Sequence, residues 1–460
     1  MRMLFMTTLL ALGATAFSGE SFDRFPLLVP GLSYNMLNPQ FWISRMDQPD
    51  VEIMSPGEIG RYNRKNFRSC KPMKDLVHLP LVVSGSLVRE MISGVSVIPK
   101  APRFKNGSLV SQKYFSSLQN NLSLNRIQET VQTSWGITVR RTEMRTFPTA
   151  DRIFSEPADF EFDRFMETAL YPLEPLAVLH QSADGKWLFV QCYFYAAWVP
   201  AEDVALTDKK TLFSRTGSEN FLVVTGKKVF TDFNPLIPGI SEMQLDMGVS
   251  IPLVHPSEVP QEISGRNPAG NFVVWLPDRD STGRLEWRMG LISRSDDIRV
   301  GFLPLTSSSI THQAFKFLGQ RYGWGGMFNT RDCTSFLTDI FRCFGLLIPR
   351  NSGEQGKLAA GIMHNMPQEM TLDARKRLFD TLKPCTPVYM SGHAMLYLGK
   401  YQDDYYIIHD FSSLNVPGPD ETLQNHKFRG VFVTPLLRTF LTDGRTYMEG
   451  LYTAREFILE

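Results

Sequence analysis

Two hydrophobic patterns divide the chain near residue 306. Upstream, short apolar runs alternate with turn residues, a pattern typical of small β-structures. The strand candidates are residues 136–140, 176–179, 187–194, 222–224, 249–254, 271–276 and 300–303. The tight-turn sequence from Ser182 to Gly185 separates two of these runs and predicts a hairpin. We therefore predict two small all-β barrels, over residues 126–210 and 211–305.

Downstream of residue 306 the apolar positions follow helical spacing before they return to strand-like runs. One helix is predicted around Ile310 to Leu318, and a second begins at Cys333. In the second helix the apolar face consists of Phe336, Leu337, Ile340, Phe341 and Phe344, and Gly345 follows as a stop signal. A third helical stretch near 370–382 precedes strand candidates at 387–390, 394–398 and 405–409. Helices followed by strands predict an α+β domain over residues 306–460.

The remaining N-terminal part shows a short apolar leader and then no chemical motif. Arg2, an apolar or small run over residues 3–16 and the sequence Ala14-Thr15-Ala16 predict an export signal over residues 1–16. A transmembrane anchor is the alternative, but the run is shorter than the roughly 20 residues that span a bilayer. We therefore expect a periplasmic or otherwise exported protein without a stable membrane anchor. Residues 17–125 are predicted to be a packing module.

Composition limits the classes of function. The chain is 43% hydrophobic, contains 33 phenylalanines and is long enough for two to four domains with sizeable cores. Its formal charge is +1 with no basic block, which argues against a nucleic-acid partner. The five cysteines include no CxxC pair, and the chain has no HExxH motif, so no metal or other cofactor is expected.

Cys333 is the strongest candidate for a chemical role. It follows a glycine-rich turn and opens a helix, where backbone N–H groups and the helix dipole stabilise a thiolate. A thiol nucleophile needs a base and a group that orients the base. His393 starts one predicted strand and His409 ends the next, so two adjacent antiparallel strands would bring the imidazoles together and carry one of them to the thiol. A structural cysteine and two structural histidines are the alternative.

Together these residues resemble the NlpC/P60 cysteine peptidases of bacterial cell walls. The resemblance covers residues 306 to about 412 and depends on the glycine-rich turn after Tyr322, Asp332-Cys333, the Pro349 to Ser352 segment, Gly392-His393 and His409. It implies a papain-like α+β catalytic domain. The upstream regions are similar to the N-terminal stabilising domain (17–125) and the two bacterial SH3-type barrels of one branch of these enzymes. Asp184-Gly185-Lys186-Trp187 is the best-matching upstream segment.

The resemblance implies a role for each matching residue. Cys333 would be the nucleophile, His393 the general base, His409 the group that orients it and Tyr322 a donor to the oxyanion. Asp332 would contact the substrate amine, and Thr334 would keep a polar contact where the family has serine. Ser335 stands where the family usually has glycine. In the first barrel, Tyr195 and Glu143 would help to hold the amine of the substrate.

The implied reaction is hydrolysis of the bond between γ-D-glutamate and a diamino acid in murein peptides. Two other classes stay open: a wall-binding scaffold with a degenerate enzyme domain, and an acyltransferase that passes the acyl group to an acceptor other than water. The combination of Cys333, His393 and His409 favours the peptidase over the scaffold.

Overall fold

The computed structural model describes residues 27–418 and 420–459. The predicted export signal over residues 1–16 lies outside the described residues. Within them, no helix is long and apolar enough to cross a bilayer. The boundaries at 125, 210 and 305 stay predictions.

A group of short helices forms the N-terminal region and packs against the C-terminal domain. Pro56 begins the longest of these helices, and a capping box between Ser55 and Glu58 fixes its start. The Tyr62 hydroxyl from this helix donates to the carbonyl of Ala360. The elements are α1 (Pro39–Ile43), α2 (Pro56–Ser69), β1 (Val82–Ser84), α3 (Gly85–Val95), β2 (Phe104–Lys105), β3 (Ser108–Leu109) and α4 (Gln112–Asn121).

The next region is mainly β-structure, as predicted. Its elements are β4 (Thr130–Gln132), β5 (Ser134–Thr138), β6 (Thr142–Arg145), β7 (Met166–Leu170), β8 (Pro175–Gln181), β9 (Trp187–Gln191), β10 (Ala196–Pro200) and β11 (Val204–Thr207). Seven of these strands form one antiparallel sheet in the order β11-β5-β8-β9-β10-β6-β7, while β4 pairs with β1. The predicted hairpin is confirmed: β8 pairs with β9, and Gly185 in the turn has φ 72°.

The third region differs from the second. Its elements are α5 (Lys209–Thr216), β12 (Phe221–Val224), β13 (Lys228–Phe230), β14 (Gln244–Asp246), β15 (Ser250–Pro252), β16 (Asn271–Arg279), β17 (Leu285–Ser293) and β18 (Ile298–Val300). The strands form three small sheets, β15-β12-β18, β13-β14 and β16-β17. The predicted strand over 300–303 ends at Val300, because Gly301 turns the chain with φ 69°.

The two predicted barrels are therefore only partly supported. In neither β-region do the described strands pair all the way round into a closed barrel. The regions are β-structure, but the number of SH3-type barrels stays a prediction.

The C-terminal domain has the predicted order of helices and strands. Its elements are α6 (Ser307–Phe315), α7 (Cys333–Arg342), α8 (Ser352–Gln355), β19 (Ile362–Asn365), α9 (Leu372–Phe379), β20 (Pro387–Met390), β21 (His393–Tyr401), β22 (Asp404–Pro417), β23 (Leu423–Pro435), α10 (Tyr447–Gly450) and β24 (Leu451–Glu456). The strands form a six-stranded antiparallel sheet in the order β19-β24-β20-β21-β22-β23.

One hydrophobic core contains side chains from all four regions, the third region contributing Met247. The apolar face of α7 packs in it against the sheet, where Phe336 and Ile340 lie in the same cluster as Ile408. The cluster also contains Trp42 from α1 and Val190 from β9. Because side chains from distant parts of the sequence are buried together, the β-regions and the helix–sheet domain have a fixed relative orientation.

Candidate active site

Cys333 is the first residue of α7, as predicted, and the helix start is tightly capped. The Asp332 carboxylate accepts a hydrogen bond from the Ser335 amide at 3.0 Å, and the Ser335 hydroxyl accepts one from the Asp332 amide at 2.8 Å. Cys333 is 7% exposed, and its thiol lies beside the backbone N–H of Ala394 at the start of β21. The nucleophile candidate therefore lies between a helix N-terminus and the strand that carries His393.

The glycine-rich turn before Cys333 touches the first β-region. Gly325 and Gly326 have φ 61° and 98°, a conformation that favours glycine. A Cβ on Gly325 would lie 2.7 Å from the Met166 side chain, and one on Gly326 would lie 2.7 Å from Cβ of Ala169. Strand β7 therefore lies directly against this turn, and only glycine fits the contact.

The two predicted histidines are in direct contact. Strands β21 and β22 are antiparallel neighbours, and Nε2 of His393 lies 2.7 Å from Nδ1 of His409. Nε2 of His409 lies 2.8 Å from the Thr434 hydroxyl on β23, and its ring stacks on Phe411. His409 lies inside β22 rather than at its end, since that strand runs to Pro417. The chain of contacts fixes the His393 ring and leaves its Nδ1 for a proton from another group.

Burial sets the protonation states of the thiol and the imidazoles. Desolvation raises the pKa of Cys333 to about 12, and the nearby Asp332 charge adds to this effect. Desolvation lowers the pKa of His393 to about 4, opposed by Asp332, and it lowers the pKa of His409 well below its usual range. The resting site at neutral pH therefore contains a thiol and neutral imidazoles.

Tyr322 lies next to the thiol, in the turn predicted to contribute to the oxyanion site. Burial, followed by the Cys333 and Asp332 charges, raises its pKa well above 10. The phenol therefore keeps its proton and can act as a hydrogen-bond donor.

The predicted amine contact Asp332 is already engaged in the folded chain. One of its oxygens forms a 2.5 Å ion pair with Arg350 and accepts from the Gly325 amide at 3.0 Å. The other accepts from the Thr334 hydroxyl at 3.0 Å and from the Ser335 hydroxyl at 2.9 Å. Arg350 also donates to the Thr334 hydroxyl. Thr334 thus keeps a polar contact, but that contact is with the protein.

The two predicted residues of the first β-region have different surroundings. Glu143 binds Arg145 at 2.8 Å and Arg152 at 2.9 Å. The Tyr195 hydroxyl donates instead to the carboxylate of Glu167, a residue of β7. The backbone carbonyl of Glu167 accepts from Arg350, the partner of Asp332.

Glu167 was not predicted from the sequence, although it lies beside the site. Its carboxylate accepts hydrogen bonds from Tyr195 and from Thr146, the latter at 2.7 Å. Among the described residues it has no ion-pair partner, in contrast to Asp332 and Glu143. No local sequence signal marks it, because its neighbours at the site lie far away in the chain.

Asp410 is a second residue that the sequence analysis did not assign. It is 0% exposed, and neither carboxylate oxygen has a hydrogen-bond partner among the described residues. Side chains alternate along β22, so Asp410 shares the α7-facing side with Ile408, opposite to His409. Desolvation and the Asp332 charge raise its pKa well above 3.8, which favours the protonated form of this carboxyl near the thiol.

Cys70, Cys192, Cys343 and Cys385 are free thiols, and all but Cys70 are buried. In the described part of the chain, no group of three histidine, cysteine or acidic side chains is placed to hold a metal ion.

Comparison with known families agrees with this geometry. Residues 319–428, which contain Tyr322, Cys333, His393 and His409, match the sequence profile of the NlpC/P60 family. The chain therefore contains an NlpC/P60-type domain. That family is one of cysteine peptidases. Residues 152–200 match the SH3 domain of the SH3b1 type, so one SH3-like domain precedes the NlpC/P60 domain.

A curated relative matches a short part of the chain. It is the gamma-D-glutamyl-L-lysine dipeptidyl-peptidase of Bacillus subtilis (strain 168), which is 35% identical over 72 residues, or 15% of this chain. The chain spans about a quarter of that relative's length, with 24% covered.

Two solved structures are similar to this chain over different shares of its length. An NlpC/P60 endopeptidase from Photobacterium damselae subsp. piscicida superposes with a TM-score of 0.70 and 18% identity, covering 90% of this chain and 95% of that one. At this identity the likeness establishes a shared fold over most of the chain. An NlpC/P60 family protein from Bacillus cereus ATCC 10987 has a TM-score of 0.43 and 17% identity, with 64% and 83% coverage.

Proposed function

We propose that the chain is an exported cysteine peptidase that hydrolyses the bond between γ-D-glutamate and a diamino acid in murein peptides. The observation that supports this most strongly is Cys333 at a helix N-terminus with its thiol beside the backbone N–H of Ala394, the residue next to His393 of the coupled His393–His409 pair. The name of the Bacillus subtilis relative specifies a γ-D-glutamyl bond to a diamino acid. The predicted export signal would deliver the enzyme to its substrate.

The reaction would begin with transfer of the thiol proton to Nδ1 of His393 as sulfur attacks the scissile carbonyl carbon. The Tyr322 hydroxyl and backbone N–H groups would stabilise the resulting oxyanion. His393 would then protonate the leaving amine, and the carbon–nitrogen bond would break to leave a thioester. Water, deprotonated by His393, would hydrolyse the thioester and restore the thiol.

The same tautomer of His393 serves every step. With Nδ1 as the acceptor, Nε2 carries the proton and donates to Nδ1 of His409. Nε2 of His409 can then donate to the Thr434 hydroxyl, which completes a consistent chain of donors. His409 therefore acts on the reaction by holding the base in this orientation.

The charge state of three acidic side chains decides which of them would bind the free amine of the substrate. Arg350 compensates Asp332, and two arginines compensate Glu143. Glu167 has no cationic partner among the described residues and is held by Tyr195. We therefore assign the main amine contact to Glu167, with Tyr195 positioning its carboxylate, rather than to Glu143.

The β-regions favour short substrates in this proposal. Strand β7 lies against the glycine-rich turn, so the first β-region would form one wall of the cleft. Such a wall leaves room for a peptide that ends in an amine and obstructs a cross-linked polymer. Comparing cleavage of free murein peptides with cleavage of intact sacculi tests this point, and a preference for sacculi would contradict it.

The decisive experiment incubates wild type and Cys333→Ala with a murein tripeptide and follows the products by mass spectrometry. Hydrolysis by wild type alone supports the peptidase. No product from either protein favours the scaffold. A product that forms only when an acceptor amine is added favours the acyltransferase.

A further inference from the structure

The third region contains a cavity that the proposed reaction does not use. Its volume is about 800 Å³, which suits a ligand of small-peptide size. It lies between α5, the segment after β15 and strand β16. Its charged or titratable lining residues are Arg215, His255, Glu258 and Arg294.

Two guanidinium groups in this cavity are held in place without using their hydrogen-bond donors. Arg215, in the last turn of α5, stacks 3.7 Å above the ring of Trp275. Arg294, just after β17, stacks 4.2 Å above the ring of Phe272. Neither guanidinium has an ion pair or hydrogen bond within the described residues, although Glu258 lies near enough to attract Arg215. Stacking leaves the in-plane N–H groups free for a carboxylate.

A third polar group lines the cavity. Asn271, the first residue of β16, is 7% exposed as a whole residue. Its side-chain amide forms no hydrogen bond with any described residue, and its polar atoms are not among the fully buried unpaired ones. The amide can therefore be reached from the cavity and is available, with the two guanidiniums, to hydrogen-bond a polar ligand.

We infer that this cavity is a binding site for a ligand with two carboxylates, and that a γ-glutamyl peptide is its natural occupant. A γ-linked glutamate keeps its α-carboxylate free, and the peptide C-terminus supplies the second carboxylate. Arg215 and Arg294 each pair with one carboxylate, and Asn271 hydrogen-bonds the peptide between them. The choice of this peptide rests on the proposed function. The site would retain wall peptides near the enzyme without cleaving them.

The test measures binding to the full chain with Cys333→Ala, so that turnover plays no part. The probe is N-acetyl-γ-D-glutamylglycine, which has two carboxylates and no amine for the catalytic cleft. We expect saturable binding that shifts the indole resonance of Trp275, and at least about tenfold weaker binding of the corresponding diamide. Arg215→Gln and Arg294→Gln should each weaken binding by about tenfold or more.

Arg266→Gln is the matched control, because Arg266 lies in the same region but is paired with Asp232. It should bind the diacid like the parent protein. Equal binding of diacid and diamide, an equal loss in the control, or tighter binding of inorganic phosphate than of the diacid would overturn the inference. Hydrolysis of a murein tripeptide by wild type is measured separately. Its failure with intact diacid binding would contradict the proposed reaction and leave the binding site standing.

Discussion

At the scale of single residues, burial decides which groups are charged. The thiol, both imidazoles and the Asp410 carboxyl are all shifted towards their neutral forms by desolvation. The charged side chains nearby are compensated or fixed: Arg350 neutralises Asp332, and Tyr195 holds Glu167. The neutral thiol and imidazoles and the Glu167 carboxylate that Tyr195 holds lead to three predictions at the scale of single residues.

The value of kcat/KM should fall on the acid side only at a pH well below the usual pKa range of histidine. His393 acts as a base only when neutral, and its pKa is about 4. The value of kcat/KM should therefore hold as pH falls through 6.5 and decline only near pH 4 to 5. A limb at 6.5 or above would contradict the buried, neutral His393.

The stability of the folded chain has to be measured at the same pH values as kcat/KM. A lowered histidine pKa means that the unfolded chain binds protons that the folded chain does not. The folded state therefore loses stability as pH falls from 6.5 towards 4. Circular dichroism at each pH separates this loss from the loss of catalysis.

Glu167→Gln should raise KM for a peptide with a free amine by about tenfold or more, because a charge-assisted contact is lost. The value of kcat should change little, since Glu167 does not touch the reacting atoms. An N-acetylated substrate should show no difference between the variant and wild type. Glu143→Gln is the control, and a larger effect there than at Glu167 would reverse the assignment.

Asp410→Asn should stabilise the chain relative to wild type increasingly as the pH rises. A carboxyl whose folded pKa lies above 3.8 opposes folding at every pH where the unfolded chain is ionised. The difference in melting temperature should therefore be smallest near pH 4 and grow as the pH rises, until the carboxyl ionises in the folded state as well. A constant difference would mean that the buried carboxyl finds a partner in solution.

At the scale of elements, the start of α7 combines structural and chemical roles. The departure from the family pattern at Ser335 is not a defect, because its hydroxyl completes a capping box with Asp332. The same Asp332 also ties the glycine-rich turn to the helix through Gly325. The helix cap therefore positions Cys333, the proposed nucleophile.

Ser335→Gly should lower the free energy of unfolding by about 1 to 2 kcal/mol, because it removes the hydroxyl half of the capping box and adds a flexible residue. Ser308→Gly is the matched control. Ser308 occupies the first turn of α6, and its side chain makes no hydrogen bond among the described residues. Urea unfolding of both variants measures the difference. Equal losses would show that only glycine flexibility matters.

Local patterns predicted elements well and their assembly less well. The helical spacing of apolar residues and the stop signal Gly345 predicted α7. The strand-like apolar runs predicted β20 and β21. Barrel closure was not predictable in this way, because it depends on pairing between strands far apart in sequence. Glu167 was missed for the same reason, since it meets Arg350 across a separation of 183 residues.

At the scale of the whole molecule, a buried ionic network joins three regions behind the catalytic helix. Arg331 pairs with Asp339 of α7 at 2.9 Å and with Asp246 of the third region at 3.4 Å. Tyr171 of the first β-region donates to Asp339 at 2.7 Å. Arg141 from that region donates to the carbonyl of Thr330 at 2.8 Å. The residues before Cys333 are therefore held from both β-regions.

Asp246→Ala should destabilise the chain by about 3 to 5 kcal/mol, because it leaves Arg331 with a partly uncompensated buried charge. It should also lower kcat, although Asp246 lies in a different region from the thiol. Urea unfolding and tripeptide kinetics measure the two effects. Asp443→Ala is the exposed control, since it removes only a surface pair with Arg445. No loss in Asp246→Ala would contradict a role for the network in holding the site.

The order of these contacts along the chain has a consequence for biosynthesis. The ribosome makes Cys333 before His393, His409 and Thr434, so a growing chain has a nucleophile but no base. Under the proposed mechanism, a polypeptide released before His393 is made has no hydrolytic activity. Activity arises only once translation has passed Thr434 and this part of the chain has folded, so a shorter product would hydrolyse no substrate.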